Sequence, residues 1–345
     1  MTLPLVALAP ALPPRFPLGS FPSPLESHGT LAERLGLRVL LVKREDLNGA
    51  SFGGNKLRAL EWILPAAGPA ILTMGGYGST WCAALALATA SSGQRVYTGL
   101  FPQPWSPAVA GALSLTAEHG GAYLASSRWG LPYAVSRAWC AARRTGPVTW
   151  ISAGGATPLG VLGSVNAALE FASQHAELGF PRPEAVVVPL GSGGTAAGLL
   201  IGMWLVGWPV EICAVRVTDP WFANRRRVFS LVRRTLRLLA RAGLEVATGP
   251  ATLRVDGGQL GAGYGHATSA ANAAQSETAA AGLALDLTYS AKAWAALSGL
   301  AGSFRHLCFW HTFDPRLAPL LARDHPLVRE ARGYAEAKWP LPKSI

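Results

Sequence analysis

The stretch Ala185–Pro189, with Leu190-Gly191-Ser192-Gly193-Gly194-Thr195 directly after it, constrains the fold more than any other segment. A short, wholly apolar run drops into a Gly/Ser/Thr loop, and a helical pattern starts at Ala196. Val39–Val42 and Ala70–Met74 are built alike, each leading through a glycine-containing loop into a helical pattern. Runs this short and this apolar suit strands buried on both faces, which requires helices above and below a parallel sheet. Val96–Leu100, Val148–Ser152, Ile212–Val217 and Leu307–Trp310 are weaker strand candidates. The alternation predicts an α/β fold with parallel-rich sheets flanked by helices, and ligands at the carboxyl ends of the strands.

At 345 residues the chain is long for one core, so two lobes are expected. Half the residues are hydrophobic and 14% are charged, the opposite of a disordered composition. Cys82, Cys140, Cys213 and Cys308 are scattered, a spacing that supports neither a zinc site nor a disulfide framework and suits a reducing cytoplasm. No metal site is expected. Pro4, Pro10, Pro13 and Pro14 break the helix a signal peptide would form, so Met1–Arg15 is read as a mature extended arm. The apolar run Thr195–Val210 is interrupted by Gly198, Gly202, Gly207 and Pro209. It falls short of the ~20 residues of a membrane span and reads as a buried core helix, with no membrane partner.

The net charge of +11 is concentrated in Arg225–Arg241, where arginines interleave with apolar residues at helical spacing. Two readings stand for this amphipathic helix: a solvated basic face, or a site for phosphate or an acidic partner. No nucleic-acid module accompanies it, and nucleic acid is not expected as a partner.

Three constellations carry chemistry. In the first, Lys43-Arg44-Glu45-Asp46 precedes Ser51-Phe52-Gly53-Gly54-Asn55-Lys56. A lysine after a Gly-Gly-Asn turn, at a helix start and partly dehydrated, loses proton affinity and becomes an amine nucleophile. The plain alternative is a surface lysine whose charge opposes the helix dipole. The second is the Gly191–Thr195 loop, a cradle for one phosphate at a helix N-terminus. Its Gly-x-Gly-Gly spacing is neither a Walker loop nor a dinucleotide fingerprint, although tight strand-to-helix turns also use glycine. In the third, Gly75-Gly76-Tyr77-Gly78-Ser79-Thr80-Trp81, the hydroxyls either cap a helix or bind a substrate carboxylate.

These motifs occur in one order with Gly263-Tyr264-Gly265, Tyr289-Ser290-Ala291-Lys292 and His311-Thr312. Together they resemble the 1-aminocyclopropane-1-carboxylate deaminase / D-cysteine desulfhydrase family, within the tryptophan-synthase-β-like (fold type II) pyridoxal-phosphate enzymes. The similarity runs from about Leu18 to about Phe313. It implies a two-lobed fold, with a small domain at 61–160 and a large cofactor-binding domain at 1–60 and 161–345. Pyridoxal 5′-phosphate would be carried covalently on Lys56, with Asn55 beside its ring and Gly191, Ser192, Gly193, Gly194 and Thr195 around its phosphate. Ser79, Tyr264 and Tyr289 would be catalytic, Thr312 would meet the pyridine nitrogen, and Ser79, Thr80 and Trp81 would bind substrate. For each tyrosine, core packing with a bonded hydroxyl is the alternative. A homodimer is implied as well.

Two departures from the family pattern stand out. Gly78-Ser79-Thr80-Trp81 replaces the usual Gln-Ser-Asn-His, so Thr80 reaches the cofactor's phenolic oxygen less far and Trp81 reshapes the substrate side. Ser290 stands where the deaminases have a glutamate. A hydroxyl facing the pyridine nitrogen makes a weaker electron sink, which favours β-elimination or β-replacement over ring opening. The resemblance therefore implies a lyase or deaminase acting on a small amino acid and releasing a keto acid and ammonia. The alternatives are β-replacement, a tailoring step on a specialised amino acid, and a non-catalytic homologue.

Overall fold

A computed structural model describes residues 4–49, 52–90, 92–313 and 325–340; Ser51 of the first constellation lies outside them. The strands in chain order are β1 (Leu25–Ser27), β2 (Val39–Arg44), β3 (Ala70–Gly76), β4 (Arg95–Phe101), β5 (Gly121–Leu124), β6 (Val148–Trp150), β7 (Ala185–Leu190), β8 (Glu211–Arg216), β9 (Thr252–Asp256) and β10 (His306–His311). They form one sheet in the order β1-β2-β10-β7-β8-β9 and another in the order β5-β4-β3-β6. Every pairing is parallel except β1 with β2. The expected α/β class and the apolar strands are found; the short strands β1, β5 and β9 lacked a legible apolar run.

The chain divides into two compact units, Met1–Trp62 with Ala156–Pro315, and Ile63–Gly155 with Arg316–Ile345. The expected assignment of the C-terminal stretch to the larger domain is corrected. Helix Pro326–Lys338 buries Ala331 and Ala335 and packs on helix Pro107–His119 and β5, inside the second unit.

In the first unit, strand residues alternate between two cores. Leu41, Val186, Val188, Ile212, Ala214, Cys308 and Trp310 face one layer of helices. Leu40, Val42, Ala185, Val187, Cys213, Val215, Leu307 and Phe309 face the other. Alternation buries the middle of these strands on both faces, and each buried aliphatic side chain stabilises by roughly 1.5–3 kcal/mol. The apolar run expected as a core helix is Gly194–Leu205, buried from Ala196 to Trp204. It lies against helix Pro158–Leu178 so closely that a Cβ at Gly198 would come within 2.4 Å of Ser164. The arginine-rich segment is a helix with the expected bounds, Arg225–Arg241. Its buried stripe is Val228, Leu231, Val232, Thr235 and Leu239, while Phe229 and Leu236 are only half-buried.

The N-terminal arm departs from expectation. Leu5–Leu8 forms a helical turn started by Pro4, with Leu5 fully buried and its N–H donated to Asn166 Oδ1. Proline is tolerated at a helix start, where its missing N–H costs nothing.

The second unit is a smaller layered unit. Helices Thr80–Thr89 and Pro107–His119 pack together, and helix Leu131–Ala142 lies along β3, β4 and β5. No helix among the described residues is long and apolar enough to cross a membrane.

Candidate functional site

The segments that carry Asn55 and Lys56, Gly191–Thr195, and Thr312 follow the carboxyl ends of β2, β7 and β10, adjacent strands of one sheet. Beneath them lies a buried ionic network that the sequence did not announce. Lys43 donates to Glu170, Gln174 and the Ser23 carbonyl. Arg58 donates to Glu45 and Glu170, and Ser23 Oγ to Glu45. Burial alone would raise the Glu170 carboxyl, but Arg58 and Lys43 beside it hold it below the usual carboxylate range. The charged motif Lys43–Asp46 is thus scaffold. Glu45 continues it through its carbonyl, which accepts the Gly54 N–H at 2.9 Å, while Asn48 Nδ2 donates to the Gly54 carbonyl. Gly54 has φ +91°, a left-handed turn that starts helix Asn55–Ile63 abruptly. A Cβ on Gly163 would meet the Arg58 carbonyl at 2.1 Å, so only glycine lets helix Pro158–Leu178 support this helix so closely.

Lys56 sits in the first turn of that helix, half-buried. Burial pushes its amine down to about 8, and no carboxylate among the described residues pulls it back. Lys43 differs: burial lowers it too, but Glu170 and Glu45 oppose the shift. The amine at 56 therefore gives up its proton far more readily than an ordinary lysine, the property an amine nucleophile or base needs.

The other residues of the first unit form a continuous chain of contacts around this helix start. The Asn55 N–H donates to the Thr312 carbonyl at 3.1 Å, and Asn55 Nδ2 donates to Thr195 Oγ1 at 2.8 Å. Thr195 lies in the first turn of helix Gly194–Leu205, above the Gly191–Thr195 loop. Gly193 has φ +93°, and Arg227 Nε steadies the loop by donating to the Ser192 carbonyl at 3.1 Å. A Cβ built on Gly191 would find Tyr289 as its nearest neighbour, 3.9 Å away, so the cup opens toward that ring. The Tyr289 and Tyr264 hydroxyls share a hydrogen bond. The structure thus brings Asn55, Lys56, the glycine loop, both tyrosines and Thr312 into one neighbourhood. An open glycine cup at a helix start, beside an amine with no carboxylate partner among the described residues, is a donor set that fits pyridoxal phosphate.

Ser290 departs from its expected orientation toward a pyridine nitrogen. Its hydroxyl donates to Asp286 Oδ1 at 2.7 Å and accepts from the Asp286 N–H at 2.8 Å. Its donor is already committed. Asp286 also accepts the N–H groups of Thr288, Tyr289 and Ser290, fixing the start of helix Ser290–Ala295. Asp286 was missed in the sequence, although a carboxylate just before a helix is a capping signal. Arg227 left no signal beyond its basic stretch.

Ser79, Thr80 and Trp81 lie in the second unit. Ser79 is the N-cap of helix Thr80–Thr89, accepting the Cys82 N–H at 3.3 Å. Thr80 is half-buried at the first helical position. Trp81 is 2% exposed, its indole N–H bonded to Thr73 Oγ1 at 3.0 Å and its ring so close to Gly155 that a Cβ there would come within 2.5 Å. The indole is spent inside the unit, so it offers shape and no free polar group. Burial pushes the Cys82 thiol up to about 12, which leaves it unreactive.

A family model described as "Pyridoxal-phosphate dependent enzyme" matches residues 17–310. Nocardicin C-9′ epimerase of Nocardia uniformis subsp. tsuyamanensis is 36% identical over 318 residues, covering 88% of this chain and 94% of that protein. 1-Aminocyclopropane-1-carboxylate deaminase of Burkholderia cenocepacia is 31% identical over 244 residues, 66% of this chain and 71% of that protein. Among solved structures, an ACC deaminase homologue superposes with a TM-score of 0.77 at 23% identity, covering 97% of this chain and all of that one, which supports a shared fold.

Proposed function

The chain belongs to the pyridoxal-phosphate-dependent enzyme family, and from that premise we propose that it removes the α-proton of a small amino acid and completes a lyase or deaminase reaction, releasing a keto acid and ammonia. When bound, the cofactor supplies an electron sink for charge at the α-carbon. The Gly191–Thr195 cup would hold its phosphate, Asn55 would lie beside its ring, Thr312 would lie at the pyridine nitrogen, and Lys56 would anchor it. Once a substrate amine has displaced it from the cofactor, Lys56 would be a free amine again, lowered by burial, and would take the α-proton. The Tyr264–Tyr289 hydroxyl pair carries the second proton, to or from the departing group. Ser79 and Thr80 are proposed for the substrate side of the second unit. Trp81 acts there through the shape of the Gly75–Thr80 turn. The observation that carries the reading is the amine at Lys56, lowered by burial and without an acidic partner among the described residues, beside a glycine cup tied to it through Asn55 and Thr195.

A second reading is favoured by one observation. The relative matching 88% of the chain is an epimerase, and inversion at carbon also needs two proton carriers, here Lys56 and the tyrosine pair. One experiment separates the two. The purified protein should show a band near ~410–430 nm that borohydride shifts. Incubation in D₂O with D-cysteine, β-chloroalanine and single enantiomers of serine then reports keto acid, or deuterated inverted amino acid without ammonia. A colourless protein, spectroscopically unchanged by Lys56→Ala, would sink both readings. By the same family resemblance we propose a cytoplasmic homodimer, which light scattering checks for its oligomeric part.

A further inference from the structure

Lys292 is a fully buried lysine with no role in the proposed reaction. Among the described residues its amine pairs with no carboxylate; it donates to two backbone carbonyls, Leu260 at 2.8 Å and Gly263 at 3.1 Å. Burying an amine without a counter-charge is costly, and an apolar residue of the same length would avoid that cost. What the amine holds explains its presence. Leu260 and Gly263 belong to the loop that ends in Tyr264, and Gly261, Gly263 and Gly265 there have φ of +62°, +125° and +80°. A loop with so much glycine has many alternative backbone states, and this stretch has neither helix nor strand to restrict it. Lys292 follows Tyr289 by less than one helical turn, on the helix fixed by Asp286. One side chain thus ties the flexible loop of one tyrosine to the rigid helix start of the other.

The geometry points to Lys292 as the positioning residue of the proton-carrying tyrosine pair: by clamping the Leu260 and Gly263 carbonyls it sets the Tyr264 hydroxyl on that of Tyr289. This rests on the proposed proton role of the tyrosines, but the clamp itself can be tested apart from it. Burial brings Lys292 down to about 8, against the pull of Asp286. A neutral amine keeps two N–H donors and so still serves both carbonyls.

The test compares Lys292→Met and Lys292→Gln with the parent chain and with Tyr264→Phe. The first readout needs no cofactor: amide hydrogen exchange over 257–265 should quicken in Lys292→Met, less in Lys292→Gln, and stay unchanged in helix Pro158–Leu178. The second is exchange of the α-proton of D- and L-alanine with D₂O by the cofactor-loaded protein. In Lys292→Met it should slow by up to about 10²-fold, the cost of misplacing a group by about an ångström, with the cofactor band retained. Lys292→Met should add nothing in the Tyr264→Phe background, because both changes disable one device. Unchanged loop exchange overturns the clamp. Equal slowing with and without the Tyr264 hydroxyl overturns the positioning role. Should Lys292→Met not fold, Lys292→Gln is carried through the same comparison. A parent chain that loads no cofactor defeats the proposed function alone, since loop exchange still decides whether Lys292 clamps.

Discussion

Lys43 and Lys56 lie close in sequence, at the carboxyl end of one strand and the start of the next helix, and the protein treats them in opposite ways. Lys43 is fully buried and answered by Glu170, Gln174 and a carbonyl, with Glu45 and Arg58 completing a closed network. Lys56 is less buried yet has no acidic partner among the described residues, and burial alone moves it. Removing water from an amine produces structure or reactivity according to whether a carboxylate takes water's place. Lys43 is fixed among carboxylates that oppose the effect of burial, whereas burial alone acts on Lys56.

The most severe break of this contrast is Lys56→Ala. It should remove the cofactor band that borohydride shifts and lower turnover at least about 10³-fold, in spectra and steady-state kinetics, with little loss of stability. The mirror experiment is Glu170→Ala, which takes the ion-pair partner from buried Lys43 and leaves Arg58 with Glu45 alone. It should cost about 3–5 kcal/mol in denaturant unfolding, and activity should fall only as far as folding does.

The reach of short-range pattern decides how much of this was legible in the sequence. Glycine loops after apolar strands are local, and Gly191–Thr195, the core helix Gly194–Leu205 and helix Arg225–Arg241 could all be read from spacing. Lys56 was visible because a Gly-Gly-Asn turn announces itself. Glu170 was not: it sits mid-helix and acquires meaning only when Lys43 and Arg58 are folded against it. Ser290 and Trp81 were legible as departures from a pattern, but their bonds to Asp286 and Thr73 depend on side-chain direction, which spacing does not give. Helix Pro326–Lys338 shows the same limit, since nothing local says which unit a terminal helix will cover.

A subtler sharpening uses pH on the cofactor-free chain. Lys56 in the folded state lies near 8, below the 10.5 of an ordinary lysine, so the unfolded chain binds the extra proton more tightly. Its penalty on folding is full below about 8 and is relieved as pH climbs toward 10.5. Lys56→Met should therefore melt higher than the parent chain near neutrality, with the gap closing over that window; Lys292, lowered alike, is common to both and cancels. A gap that widened with pH would mean Lys56 has an unrecognised acidic partner. The smallest expected effect is Asp286→Ala. Losing the acceptor for three N–H groups at the start of helix Ser290–Ala295 should cost about 1–2 kcal/mol by thermal unfolding and loosen Tyr289 without touching the ionic network.

The placing of β10 between β2 and β7 bears on how the protein is made. On the ribosome, β2 emerges early with only the short antiparallel partner β1, and its other edge stays bare until nearly the whole chain has been synthesised. Strand edges left open that long invite pairing with other nascent chains, and such distant closure is slow. Heterologous production should accordingly improve at low temperature or with added chaperones, and truncation before His306 should yield aggregate rather than a smaller soluble protein.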